Sequence, residues 1–399
     1  MHPRKKFISL EKNTAGHDFT IGDIHGNLNI LKRAIDQLSE NDRLFFVGDL
    51  TDKGQHSQAV LDRILEHNKL RVDNGRKPQL FAVRGNHEEL FLRYADFRIE
   101  HPDKPNPHKA ILVHPKNRGE WATQLNNDDL KKYRRYFRSL PDIIHVDGDD
   151  PFHVVHADMP VSDRQLARMF RDNLQLNRTQ RYHARWARNG TDMPLAENIR
   201  NAASIPAYCG HTIFGGIRYE TNHLNLDSGA YKTKQALFVD HTEGQCYILK
   251  TNRNAKSNQE IEKICLRIQD ELDFRQRRRV FCAEIRRKTP QEINEHILDL
   301  VTRASSIEKQ KETYLTELEN ISPLLSEDQK DELLHFLVQQ REHLLKKERH
   351  FGWLRFHRHS IQTRSMHIAA NILCDGIQNY QPAKGAELTR HITEFSRRR

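Results

Sequence analysis

Aspartate, histidine and asparagine recur in five short strings: GDIHG (22–26), GDLTDKG (48–54), RGNHE (84–88), HAD (156–158) and GHT (210–212). Together they offer carboxylate, imidazole and amide oxygen, and no thiolate. That donor set suits Mn2+, Fe or Zn in a two-metal site and speaks against a structural zinc site. Any one Asp, Asn or Gly behind a strand is ordinary turn chemistry. Four histidines falling among them, three of them besides the one in RGNHE, are what points to metal. Within GDLTDKG, Asp49, Asp52 and Lys53 place three charges in one turn, directly behind the apolar run 44–47.

Chemistry spread over this much chain needs a scaffold that gathers it. Strand-length apolar runs fall at 18–21, 44–47, 80–83, 152–155, 207–209 and 224–226, with a hairpin of 236–239 and 246–249 around His-Thr-Glu-Gly. Leu28, Leu31, Ala34, Ile35 and Leu38 recur at helical steps between the first two runs, as a crossover helix requires. A charged helix is expected over 127–140, ending at Pro141, and an irregular loop over the proline-rich 99–109. The pattern predicts an α/β domain in which residues just past the strand ends line one crevice. Each of the five strings follows a predicted strand.

The order and spacing of these strings, with AVRGNHEEL, VVHADMP and LDSGA, resembles the PPP family of metallophosphatases in its bacterial and bacteriophage branch. The resemblance covers roughly residues 17 to 250. It implies a calcineurin-like β-sandwich flanked by helices and hydrolysis of phosphoserine or phosphothreonine, with phosphotyrosine as a further substrate. Attack would be direct, by a metal-bridging hydroxide, with two divalent ions, Mn2+ first and Fe or Zn as alternatives. Carried over, it makes Asp23 and His25 ligands of one metal, Asp49 the bridge, and Asn86, His156 and His211 ligands of the second. His87 would be the general acid and Asp52 the carboxylate that holds it protonated. Arg84, Lys53 and Arg188 would bind the substrate phosphate, with Arg185 a substitute for Arg188. Lys53 departs from the arginine usual in the family, giving a compact ammonium in place of a planar fork. Glu88 reads as a supporting residue and Asp227 as either a ligand orienter or a turn residue. A dinucleoside polyphosphate hydrolase is the alternative; those relatives commonly carry Asp after GNH and lack the Asp-basic pair of the second string.

After residue 250 strand signals and glycines nearly vanish and long charged amphipathic segments take over. We expect an N-terminal tail over 1–16, a catalytic domain over 17–250 and an all-helical region over 251–399, in which Ile261, Cys265, Ile268 and Leu272 mark one face. Helix starts are expected at Thr289-Pro290 and Ser326. This added region would bind a protein partner, direct targeting to a membrane surface, or pack on the first domain. Catalytic domain plus helical tail is similar to effector phosphatases that intracellular bacteria deliver into host cells. The five cysteines show no CxxC spacing and the chain has no long apolar run, so a cytoplasmic protein, or one secreted to the host cytosol without a Sec signal, is expected. The net charge of +10, from 64 Lys and Arg against 54 Asp and Glu, draws phosphorylated or acidic partners without arguing nucleic acid.

Overall fold

The computed structural model describes residues 7–187, 205–213, 216–218, 223–252 and 258–285. Two sheets dominate the first compact unit, Met1–Asp273. One has five strands in the order β11-β10-β2-β3-β4, comprising β2 (Asp18–Ile21), β3 (Arg43–Phe46), β4 (Leu80–Ala82), β10 (Gln235–Asp240) and β11 (Gln245–Lys250). The other has six in the order β1-β5-β6-β7-β9-β8, comprising β1 (Phe7–Leu10), β5 (Ile143–Val146), β6 (Phe152–Val155), β7 (Ala207–Cys209), β8 (Gly216–Arg218) and β9 (His223–Asn225).

Side-chain alternation explains why the sheets stack. Along β3, Leu44 and Phe46 join the core beneath the helices, whereas Phe45 turns to the core between the sheets. There it meets Phe152 of β6 edge to face, centroids 5.5 Å apart. In β10 Ala236 and Phe238 face the helices while Leu237 and Val239 face the other sheet. Both faces of each central strand are therefore buried, and the runs read as nearly continuous apolar segments.

The helices cover the outer faces. Helices α1 (Leu28–Ile35), α2 (Ser57–Asp73), α3 (Asn86–Glu100) and α5 (Asn127–Ser139) share a core with the five-stranded sheet. The single turn α4 (Lys109–Leu112) packs on α3. Helices α6 (Asp163–Arg171) and α7 (Arg178–Trp186) lie on the six-stranded sheet, where Leu166, Met169 and Ala184 meet Ile143 and Val155. A long helix, Gln259–Ile285, follows β11, and its Ile261, Ile264, Ile268 and Leu272 enter the core between the sheets. Among the described residues no helix is long and apolar enough to cross a membrane.

One expectation is corrected here. Residues 7–10, taken with the N-terminal tail, form β1 and pair in parallel with β5. Four residues carry little periodicity, yet Phe7 is buried edge-on against Phe170 of α6 at 4.7 Å. The expected helix starts at 289 and 326 lie outside the described residues.

Candidate metal centre

Strands β2, β3 and β4 run parallel, as do β6 and β7, and the five strings follow their C-terminal ends. The site thus forms along one rim where the two sheets meet. The turns are stitched together by backbone: His25 N–H donates to Asp49 O at 3.0 Å and Gly26 N–H to Leu50 O at 2.8 Å.

That convergence bends the chain unusually. His25, Asp49, Asp52, Lys53 and His211 have φ of 42°, 48°, 69°, 58° and 71°. Left-handed backbone is costly for such residues and collects where surrounding structure imposes it for a purpose. Two glycines permit the crowding. A Cβ on Gly85 would fall 2.2 Å from Asp49 Oδ1, and one on Gly210 1.9 Å from Asp23 Oδ1. These spacings leave no room for a side chain.

Asp49 is common to two groups whose ligand atoms lie within 4.8 Å of one another: His25, Asp49 and His87, and Asp49, His156 and His211. Asp49 Oδ2 is 3.5 Å from His25 Nε2, and Asp49 Oδ1 is 3.4 Å from His156 Nε2. Asn86 Oδ1 sits 2.9 Å from His156 Nε2 and 3.0 Å from His211 Nδ1. Asp23 completes the cluster, with Oδ2 3.9 Å from His25 Nε2 and Oδ1 3.9 Å from His156 Nδ1. All six residues expected as metal ligands are therefore brought together.

The chemistry of this cluster fits divalent cations. Asp23 Oδ1 is buried and has no hydrogen-bond partner, which is costly unless another positive group serves it. Burial first, and then Asp227 and Asp49, hold Asp23 well above the usual carboxylate range. Burial pushes Asp227 up to about 6. Burial also opposes ionisation of Asp49, but His156, His87 and His25 outweigh it and hold that carboxyl low. Burial lowers His25 and His156, favouring the neutral imidazole a metal needs. Their Nδ1 atoms meet the carbonyls of Thr51 and Val47, each at 2.9 Å, so that both present Nε2 to the cluster.

His87 and Asp52 stand beside the cluster as a pair, Nδ1 to Oδ2 2.7 Å. Burial would lower His87, but the carboxylates of Asp49 and Asp52 outweigh it and raise the imidazole. Trp121, which the motifs gave no reason to single out, donates its indole N–H to Asp52 Oδ1 at 2.6 Å. Its ring stacks on Phe91 of α3 at 5.5 Å. Glu88 supports the turn: its carboxylate accepts from the backbone N–H groups of Asp49, Leu50 and Gly85. Burial and Asp49 raise it to about 7.

The basic residues are placed less uniformly. Lys53 Nζ lies 2.9 Å from His25 Nε2 and 5.4 Å from the Tyr231 ring centroid, at the edge of the cluster. Arg84 is buried and directs Nε and Nη2 to the carbonyls of Phe137, Arg138 and Leu140 at the end of α5. Burial and then Arg185 lower it to about 10. Arg185 is itself occupied by Asp142 at 2.7 Å and Glu89 at 3.3 Å. Arg188 lies outside the described residues.

Parts of the chain are similar to known proteins. Residues 20–212 match the model of the calcineurin-like phosphoesterase family. Serine/threonine-protein phosphatase 2 of Escherichia coli strain K12 is 26% identical over 236 residues, 57% of this chain and 94% of that protein. Serine/threonine-protein phosphatase 1 of Salmonella typhimurium is 28% identical over 172 residues, 41% of this chain and 69% of that protein. A solved structure provisionally described as a diadenosine tetraphosphatase is 22% identical, covering 61% of this chain and 97% of its own, with a TM-score of 0.41. Residues 20–212 therefore form a calcineurin-like metallophosphatase domain, and the chain is a phosphoester hydrolase.

Proposed function

We propose that the protein is a phosphoprotein phosphatase that hydrolyses phosphoserine and phosphothreonine monoesters. The observation that carries this reading is the sharing of Asp49 between two groups of potential ligands, with the His87–Asp52 pair alongside. Two divalent cations held there would supply Lewis acidity to the phosphoryl group and a water acidic enough to serve as nucleophile. Asp23, His25 and Asp49 would hold one, and Asp49, Asn86, His156 and His211 the other.

The chain's own residues do the remainder. Asp52 orients the His87 imidazole and favours its protonated form, leaving Nε2 to deliver a proton to the departing serine or threonine oxygen. Glu88 fixes the turn that aims Asp49. Lys53 neutralises charge on the phosphoryl oxygens from the rim. Arg84, with Nε and Nη2 held by α5, would offer Nη1. No cysteine is needed as a nucleophile.

The test is turnover of p-nitrophenyl phosphate, phosphoserine, phosphothreonine and phosphotyrosine peptides, and diadenosine tetraphosphate with Mn2+, before and after chelation. We expect the phosphoserine and phosphothreonine peptides to lead and chelation to abolish activity. Preference for diadenosine tetraphosphate, or activity indifferent to the chelator, overturns the proposal.

A further inference from the structure

Next to the metal centre the surface opens into a cleft of about 620 Å³ whose lining includes Lys53, Lys116, Arg118, Tyr231, Lys232 and Lys234. Its volume falls in the range of ligand-sized clefts. Five of these residues are cationic, and among the described residues no Asp or Glu lines the cleft. They arrive from three separate parts of the chain: the turn after β3, the segment after α4, and the short helix Ala230–Thr233 with the residue that follows it. Among the described residues none of the five carries an ion pair.

The cleft is continuous with the ligand cluster. Lys53 reaches His25, and the Tyr231 ring stands edge-on to the His25 ring at 5.5 Å. Its shape is also fixed. Lys234 Nζ donates to the Tyr231 carbonyl at 2.8 Å, and both Arg118 and Lys234 hold left-handed backbone, φ 53° and 62°. Like charges gathered on a fixed wall repel unless an anion joins them. The buried carboxylates that feel the charge of Lys53, those of Asp23, Asp49 and Asp227, lie in or beside the ligand cluster, so they would be engaged there and not in the cleft.

We infer that this cleft binds a second phosphate of the substrate, on a residue near the one being hydrolysed, so that the enzyme prefers multiply phosphorylated segments. The inference rests on the phosphoprotein phosphatase reading. A second phosphoserine brings close to two negative charges at neutral pH, which is what a wall of exposed ammonium and guanidinium groups recognises. A dinucleotide would need apolar surface for its bases, and among the described residues Tyr231 is the only aromatic ring in the lining.

The full-length protein with Mn2+ is compared on three substrates: a peptide with one phosphoserine, the same peptide with a second phosphoserine two residues away, and p-nitrophenyl phosphate. The companion variant is Lys116→Gln/Arg118→Gln/Lys232→Gln. At roughly twofold per exposed charge pair, the wild type should favour the doubly phosphorylated peptide about tenfold in kcat/KM. The variant should lose that preference while turning over p-nitrophenyl phosphate normally. Equal rates on both peptides in the wild type, or a preference that survives in the variant, overturns the inference and leaves the phosphatase reading intact. Hydrolysis of neither peptide overturns that reading as well. Should the variant lose p-nitrophenyl phosphate turnover too, the wild type decides. A preference that fades as salt is raised supports the cleft, and one indifferent to salt overturns it.

Discussion

Asp52 is aimed from two sides: Ser57 Oγ accepts its backbone N–H at 2.9 Å, and Trp121 holds Oδ1 at 2.6 Å while Oδ2 faces His87. A hydrogen bond to a charged acceptor is worth roughly 1.5–3 kcal/mol, part of which orients the carboxylate. Trp121→Phe keeps the stacking on Phe91 and removes only the donor, so we expect kcat on a phosphoserine peptide to fall about tenfold with KM unchanged. Steady-state kinetics at equal metal content check this, and a change confined to KM would place Trp121 in substrate binding instead. The residues legible in the sequence were those whose types the chemistry dictates. Asp23, His25, Asp49, Asn86, His156 and His211 stood out through the family resemblance and because few side-chain types suit a metal, and the structure gathers them. An indole donor serving a carboxylate 69 residues away leaves no spacing to detect. Glu88 was legible only as a support, since its task is to bind backbone N–H groups that any sequence supplies.

Strands showed in the sequence in proportion to how fully they are buried. β2 and β6 fall where the apolar runs predict, with every residue of both strands buried. β8 is a three-residue strand at the sheet edge, paired only with β9, and β1 is an edge strand too; such short partners are specified by packing and pairing more than by their own residues. One edge contact carries a pH signature. His17, just before β2, places Nδ1 2.8 Å from Asp240 Oδ2 at the end of β10. That hydrogen bond raises the imidazole above its ordinary 6.5, with burial opposing. A folded value above the unfolded one means the stabilisation is complete below about pH 6.5 and fades as pH climbs through the raised value. The His17 side chain is 40% exposed, so screening limits the effect to roughly 0.5 kcal/mol. His17→Asn should therefore melt one to two degrees below wild type, order of magnitude, near about pH 5.5, with the gap closing by about pH 8. Paired thermal melts across that range check it, and a gap that widens with pH would exclude the ion pair as its source.

The change of texture after residue 250 reflects composition, which tracks surface more than packing. The helix beginning at Gln259 is charged along most of its length, yet the first compact unit runs on to Asp273 because Ile261, Ile264, Ile268 and Leu272 are buried with Phe45, Ile144 and Val239. Fully burying such side chains contributes roughly 1.5–3 kcal/mol each. Four of them approach the roughly 5–15 kcal/mol by which a whole domain is stable. Gln269 adds a tether, its Oε1 accepting from Cys246 N–H at 2.8 Å and its Nε2 donating to Gly244 O at 2.9 Å. A chain cut after residue 255 would leave the core between the sheets open along this side, whereas one cut after 285 keeps it closed. We expect residues 1–285 to be soluble and to hydrolyse p-nitrophenyl phosphate within about twofold of the full chain, while residues 1–255 aggregate or lose most of their activity. Expression of both fragments beside the full-length protein, with solubility and chelator-sensitive turnover as readouts, decides it. An active, soluble 1–255 would show that the helix is an attachment to the catalytic unit and not a wall of it, and would return the domain boundary to the change in composition. With 1–285 active, any targeting or partner choice that the full chain has and the fragment lacks belongs to residues 286–399.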